Sequence, residues 1–158
     1  MQALRAERAT RASTETRTLA IGSFAPLVLR SMIGVVIAAH GWDKVQQGVG
    51  QFAGFVKSLD VPFPTFTAYL VTALELGGGI LLILGLGARL WAALIGIEMI
   101  LTTILVKVDV GFIADGGAGA ELDLLILAGC LALVLLGPGR LSLDRAVGID
   151  GKPKAVPI

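Results

Sequence analysis

The residues able to do chemistry in this chain stand where charges are expensive. Residues 69–89 read YLVTALELGGGILLILGLGAR, an apolar run as long as a membrane span with Glu75 inside it and Gly77, Gly78 and Gly79 just after. A charge at mid-membrane costs at least about 2.5 kcal/mol on insertion scales, so this carboxylate needs a partner or a task. Arg30 and Glu98 interrupt two neighbouring apolar runs. Counted at the helical rise, all three reach a similar depth, roughly 12–17 Å from one face. The expectation is a buried ion layer of Arg30, Glu75 and Glu98, with the guanidinium forking to both carboxylates. Such a layer either fixes helix register or handles protons and a ligand, and both readings stand at this point. His40 is the one side chain whose unperturbed titration lies near neutrality. It joins Glu75 and Glu98 as a catalytic candidate.

A second set gathers toward the opposite face: His40, Asp43, Lys44, Lys107, Asp109, Glu121 and Asp123. Helical spacing groups Glu98, Thr102 and Asp109 on one face of the third run and leaves Lys107 on the other. On the fourth run it groups Glu121 with Leu125, Ala128 and Ala132, and turns Asp123 and Cys130 away. Lys44, Asp109 and Glu121 are therefore the expected inward site. Arg30, Gly34, Ile37, Gly41 and Lys44 form a narrow stripe expected to face protein, and Trp42 suits an interfacial aromatic. A metal site from His40, Asp109 and Glu121 is the weaker alternative, and no metal is expected. The single cysteine excludes a CxxC pair and a thiolate cage within the chain. The three glycines lie inside an apolar run, which speaks against a phosphate loop and for a close-packing surface.

The elements that must position these groups follow from composition. Hydrophobic residues make up 55% of 158 and mean hydropathy is +0.84, well above a soluble domain. The expected fold is all-α: an integral membrane four-helix bundle, up-down-up-down. Spans are expected over about 22–45, 65–86, 89–110 and 120–136, within a membrane domain over 22–139. Residues 49–59 carry Val49, Phe52, Val56 and Leu59 at helical spacing, as an interfacial helix would. A basic tail, 1–21, precedes the domain and a charged tail, 140–158, follows it. A signal peptide is the alternative for the basic start and first apolar run; Arg30 within that run favours an uncleaved span. Nine Lys and Arg (Arg5, Arg8, Arg11, Arg17, Arg89, Arg140, Arg145, Lys152, Lys154) fall on one side against three (Lys44, Lys57, Lys107) on the other. Both termini are therefore expected in the cytoplasm. Net charge is +1, so nothing points to nucleic acid.

Five pieces in order resemble the DoxX family of bacterial membrane proteins. They are Leu29-Arg30, Gly34 and His40-Gly41-Trp42-Asp43-Lys44; then Glu75-Leu76-Gly77-Gly78-Gly79 with Leu81-Leu82; then Leu84-Gly85-Leu86 leading to Arg89; then Glu121; and finally Gly137-Pro138-Gly139-Arg140-Leu141-Ser142-Leu143-Asp144. The likeness covers roughly residues 25–146. It implies a four-helix protein of the bacterial inner membrane. The family includes subunits linked to quinone-coupled thiosulfate oxidation and a membrane component grouped with oxidative-stress defence. Three readings follow. The first is an accessory or anchoring subunit of a redox, respiratory or oxidative-stress complex, with the bilayer, a redox protein and further copies of itself as partners. The second is a quinone-linked oxidoreductase subunit, not an autonomous enzyme, in which Arg30, Lys44, Trp42, Asp109 and Glu121 are the ligand candidates. Quinone is then the one cofactor expected, and none is expected within the chain itself. The third is a small-molecule or proton transporter.

Overall fold

The computed structural model of the chain describes residues 24–149. The basic tail expected over 1–21 lies outside them, as do Lys152 and Lys154. Among the described residues every regular element is helical. Helix α1, Ala25–Gln47, starts on Pro26, whose missing N–H costs nothing in a first turn, and stops at Gly48, φ 94°. Helix α2, Val49–Ser58, is the short amphipathic element; it buries Ala53 and Val56 against α3. Helix α3, Pro64–Ala73, runs through a π-helical turn, Leu74–Gly78, into α4, Gly79–Leu84. Helix α5, Ala88–Thr102, runs into a second π turn, Thr103–Lys107. Helix α6 is Ala120–Leu136, and one turn, α7, covers Leu143–Ala146.

Among the described residues, three continuous helical stretches are long and apolar enough to cross a membrane: Ala25–Gln47, Pro64–Leu84 and Ala88–Lys107. Helix α6 has 17 residues and packs against the first and third of them. Among the described residues the main apolar cluster seals Ile37, Leu82, Ile95 and Leu133 from solvent, and a smaller one joins Ala53 and Val56 of α2 to Ala68 of α3. Large apolar side chains such as Leu125 and Leu135 point outward, as a lipid-facing surface requires.

Small residues set the closest approach. A Cβ on Gly34 would stand 2.6 Å from the Gly79 carbonyl, and one on Gly79 would stand 2.7 Å from the Ala38 amide. Gly41 lies directly on the Leu76 backbone. Helix α1 therefore runs antiparallel against the second span, backbone on backbone, in the manner of small-residue membrane interfaces. Gly41→Ala is expected to cost about 1–3 kcal/mol, because neither backbone can yield without repacking the pair. Gly54 in α2 faces open space. Gly54→Ala is expected to stabilise by about 0.4–1 kcal/mol through the unfolded chain. Denaturation midpoints of the two variants in detergent check both signs.

The helices do not pack equally at their two ends. Spans two and three meet through α4, the first π turn and α5, near their short connection at 85–87, while α3 leans instead on α1 and α2. The halves of the molecule thus part toward the Lys44 end.

Candidate functional site

The parting leaves a cavity of about 480 Å³. Its walls come from α1, α3, α5 and α6, and Phe52 and Phe55 of α2, with Leu59 just after it, line it from above. On one side it is lined by Leu70, Ile97, Leu101 and Leu105, side chains that also face outward. A ligand entering there would come from the bilayer between spans two and three. Size and apolar lining suit a small-molecule pocket with a few placed polar groups.

Those polar groups are concentrated. Lys44 donates to both oxygens of Glu75, at 2.7 and 2.6 Å, a two-pronged ion pair almost out of solvent reach. The Lys44 ammonium also lies 4.9 Å from the centre of the Phe52 ring, close enough for a cation–π contact. Glu98 stands beside the pair, its carboxyl within hydrogen-bonding reach of Glu75. His40, Lys107 and Asp123 line the same cavity. Glu75 sits in the first π turn and Lys107 closes the second. Such bulges recur at functional sites because they re-aim side chains within an otherwise regular helix.

Arg30, Glu75 and Glu98 are all buried, at 2%, 5% and 7% exposure, but they do not form one layer. The Arg30 guanidinium donates instead to the carbonyls of Leu82 (3.1 Å), Ile83 and Leu141. Helix α1 begins at Ala25, so Arg30 is near its start and opposite the end of α4. There the last carbonyls lack helical partners, and a cation is the favoured cap. Asp144 completes this end. Its carboxylate accepts from the N–H groups of Gly87 (2.6 Å) and Ala88 (2.9 Å), capping α5 where Gly87 has no side chain to do so. Arg89 likewise donates to Val134 and Leu135 at the end of α6.

Two faces differ from expectation. Asp109 is exposed while Lys107 lines the cavity. The π turn inserts an extra residue into the phase of the helix, so counting at 100° fails beyond Thr103. On α6, Asp123, Ile126, Cys130 and Leu133 are buried, Leu125 and Ala128 turn outward, and Glu121 is half-buried. That helix is apolar nearly all round, so periodicity had little to choose between its faces. Glu121 serves the helix start, accepting from Gly119 N–H at 3.1 Å. Trp42 is exposed and outside the cavity. Sequence reasoning thus missed Lys107 and Asp123 as cavity residues; an acid in the first turn of an apolar helix was the available signal. His40, Asp109 and Glu121 are not brought together, and among the described residues no three His, Cys, Asp or Glu side chains are placed to hold a metal.

The DoxX family model matches residues 25–108, which takes in α1, the Lys44–Glu75 ion pair and Glu98. The chain belongs to the DoxX family. Among its relatives, this DoxX protein is 35% identical over 123 residues to the "Putative oxidoreductase CatD" of Bacillus subtilis (strain 168), covering 77% of this chain and 85% of that one. It is 33% identical over 132 residues to the "Uncharacterized membrane protein Rv3486" of Mycobacterium tuberculosis (strain ATCC 25618 / H37Rv), covering 75% of this chain and 78% of that one. No solved structure matches it.

Proposed function

We propose that this DoxX protein is a four-span subunit of a membrane redox complex that takes a lipid-soluble quinone-class carrier into the cavity between spans two and three. The observation that carries the reading is the cavity itself: apolar, reached from the lipid side, with Lys44, Glu75 and Glu98 on one wall. A quinone-class ring needs an apolar slot for its body and polar groups at its oxygens. Here His40 and Lys44 are the cationic or N–H side, and Glu75 and Glu98 the carboxyl side. When bound, the carrier supplies two-electron chemistry coupled to protons; the chain's own part is to hold the ring and to keep water from it. The oxidoreductase name of the B. subtilis relative is consistent with this assignment. With one cysteine, 1% exposed, the chain has no dithiol of its own, so the carrier exchanges its electrons with a partner protein.

At 17 residues α6 is about 25 Å long, within the range for a span. Four spans and the excess of Lys and Arg on one side support the reading that both termini lie on the cytoplasmic side of a bacterial inner membrane. The test is equilibrium binding of a short-tail benzoquinone, supplied in either redox state, to the protein in lipid nanodiscs. Saturable binding is expected. Thr102→Phe, which puts a ring into the cavity, is expected to weaken it about tenfold, a loss of some 1.4 kcal/mol. Absence of saturable binding in both redox states overturns the proposal.

A further inference from the structure

Donors and acceptors on the cavity wall are out of balance. Every side-chain donor group on it except His40 already makes at least one bond to a protein oxygen. Lys44 points at Glu75, Thr67 at the Pro62 carbonyl, Thr102 at the Glu98 carbonyl and Lys107 at the Ala118 carbonyl. The acceptors are not matched in the same way. Oε2 of Glu98 is buried and has no hydrogen-bond donor, although the residue is only 7% exposed. Asp123, 5% exposed, is reached by the Thr103 hydroxyl at 3.5 Å, the outer limit of a hydrogen bond. A buried acceptor without a donor is costly, and a ligand that brings the donor recovers that cost.

An oxidised quinone offers only carbonyl oxygens. It offers Glu98 Oε2 no donor and leaves that acceptor unpaired. The reduced, dihydroxy form carries two O–H donors on the same ring. We propose that Glu98 makes this cavity selective for the reduced carrier, its open Oε2 accepting a ring hydroxyl that the oxidised form lacks. The inference rests on the quinone-class reading of the cavity and adds to it a preferred redox state and the residue that sets it. Glu98 is fit for the task by position. It projects from α5 into the cavity, beside a Glu75 whose two oxygens are already taken by Lys44. The lysine thus neutralises one carboxylate and leaves the other to the ligand.

Three ring compounds of one shape separate the outcomes: a short-tail benzoquinol kept reduced under anaerobic conditions, the matching quinone, and the quinol dimethyl ether, which keeps the ring and loses both O–H groups. Binding to the wild-type protein in nanodiscs is expected to favour the quinol about tenfold or more over each of the others, the scale of supplying a donor to a buried acceptor that otherwise has none. In Glu98→Gln the amide brings donors of its own, and the quinol-to-quinone ratio is expected to fall to about one or below. The wild-type comparison stands even where that variant folds poorly. Equal or tighter binding of the quinone or of the ether overturns the selectivity and leaves the cavity reading intact, as does an unchanged ratio in a folded Glu98→Gln. Binding of none of the three overturns both.

Discussion

Lys44→Met is expected to cost about 3–5 kcal/mol of stability, the scale for removing one partner of a buried ion pair. The change leaves Glu75 and Glu98 side by side with no cation on them, in a cavity of low dielectric. The magnitude separates two views of the pair. Were Lys44–Glu75 a solvated pair at the membrane surface, the loss would be within about 1 kcal/mol. The exposures of the two side chains, 19% and 7%, argue for the larger value. The double variant Lys44→Met with Glu75→Leu should regain most of the loss, since it removes the stranded carboxylate along with its partner. Denaturation midpoints of the wild type, both single variants and the double variant in detergent give the coupling directly. Independent, additive effects would show that the pair contributes nothing as a pair.

At the other end of the molecule, Arg30→Met is expected to cost about 3 kcal/mol or more. It strips the guanidinium from the carbonyls of Leu82, Ile83 and Leu141; Leu82 keeps the Gly85 N–H, and each buried carbonyl left unpaired costs about 1–3 kcal/mol, eased where water can enter. Arg30→Lys should recover little, because an ammonium is a point donor and cannot span carbonyls that a planar fork reaches together. The same variants decide where the arginine belongs. If Arg30 served the carboxylates, adding Glu75→Gln to Arg30→Met would restore stability. With Arg30 on backbone carbonyls, the two losses add within about 0.3–0.5 kcal/mol. Ligand binding offers a second readout. Fourteen residues of α1, about 21 Å, separate Arg30 from Lys44, so a folded Arg30→Met protein should bind the ring compounds as the wild type does.

These two arginine and lysine positions also show how far a one-dimensional reading reaches. Four apolar runs, their approximate limits, the short amphipathic helix and the family pattern are all visible in the order of residues, because hydrophobic periodicity and turn residues are local properties. The stripe from Arg30 to Lys44 is equally local, and its glycines indicate close packing. Partner choice is not local. Depth counting put Arg30 level with Glu75, but the true register of α1 against the second span sets Gly34 on Gly79 and Gly41 on Leu76. That register carries Arg30 past the acids to the helix end and brings Lys44 to Glu75.

Backbone acceptors compounded the difficulty. Carbonyls at a helix end are as good a partner for guanidinium as a carboxylate, and every residue has one, so composition gives no sign of which will be used. The π turn at Thr103–Lys107 likewise leaves no periodic trace, yet it exchanges Asp109 for Lys107 at the cavity. The sequence by itself determined that this is a helical membrane protein with acids and bases inside its spans, since burying those runs in lipid is the only way to satisfy their hydrophobicity. Only the tertiary structure decided which acid meets which base. Helix register, rotation and a one-residue bulge are set by the packing of several helices at once, and an error of one residue turns a side chain by 100°.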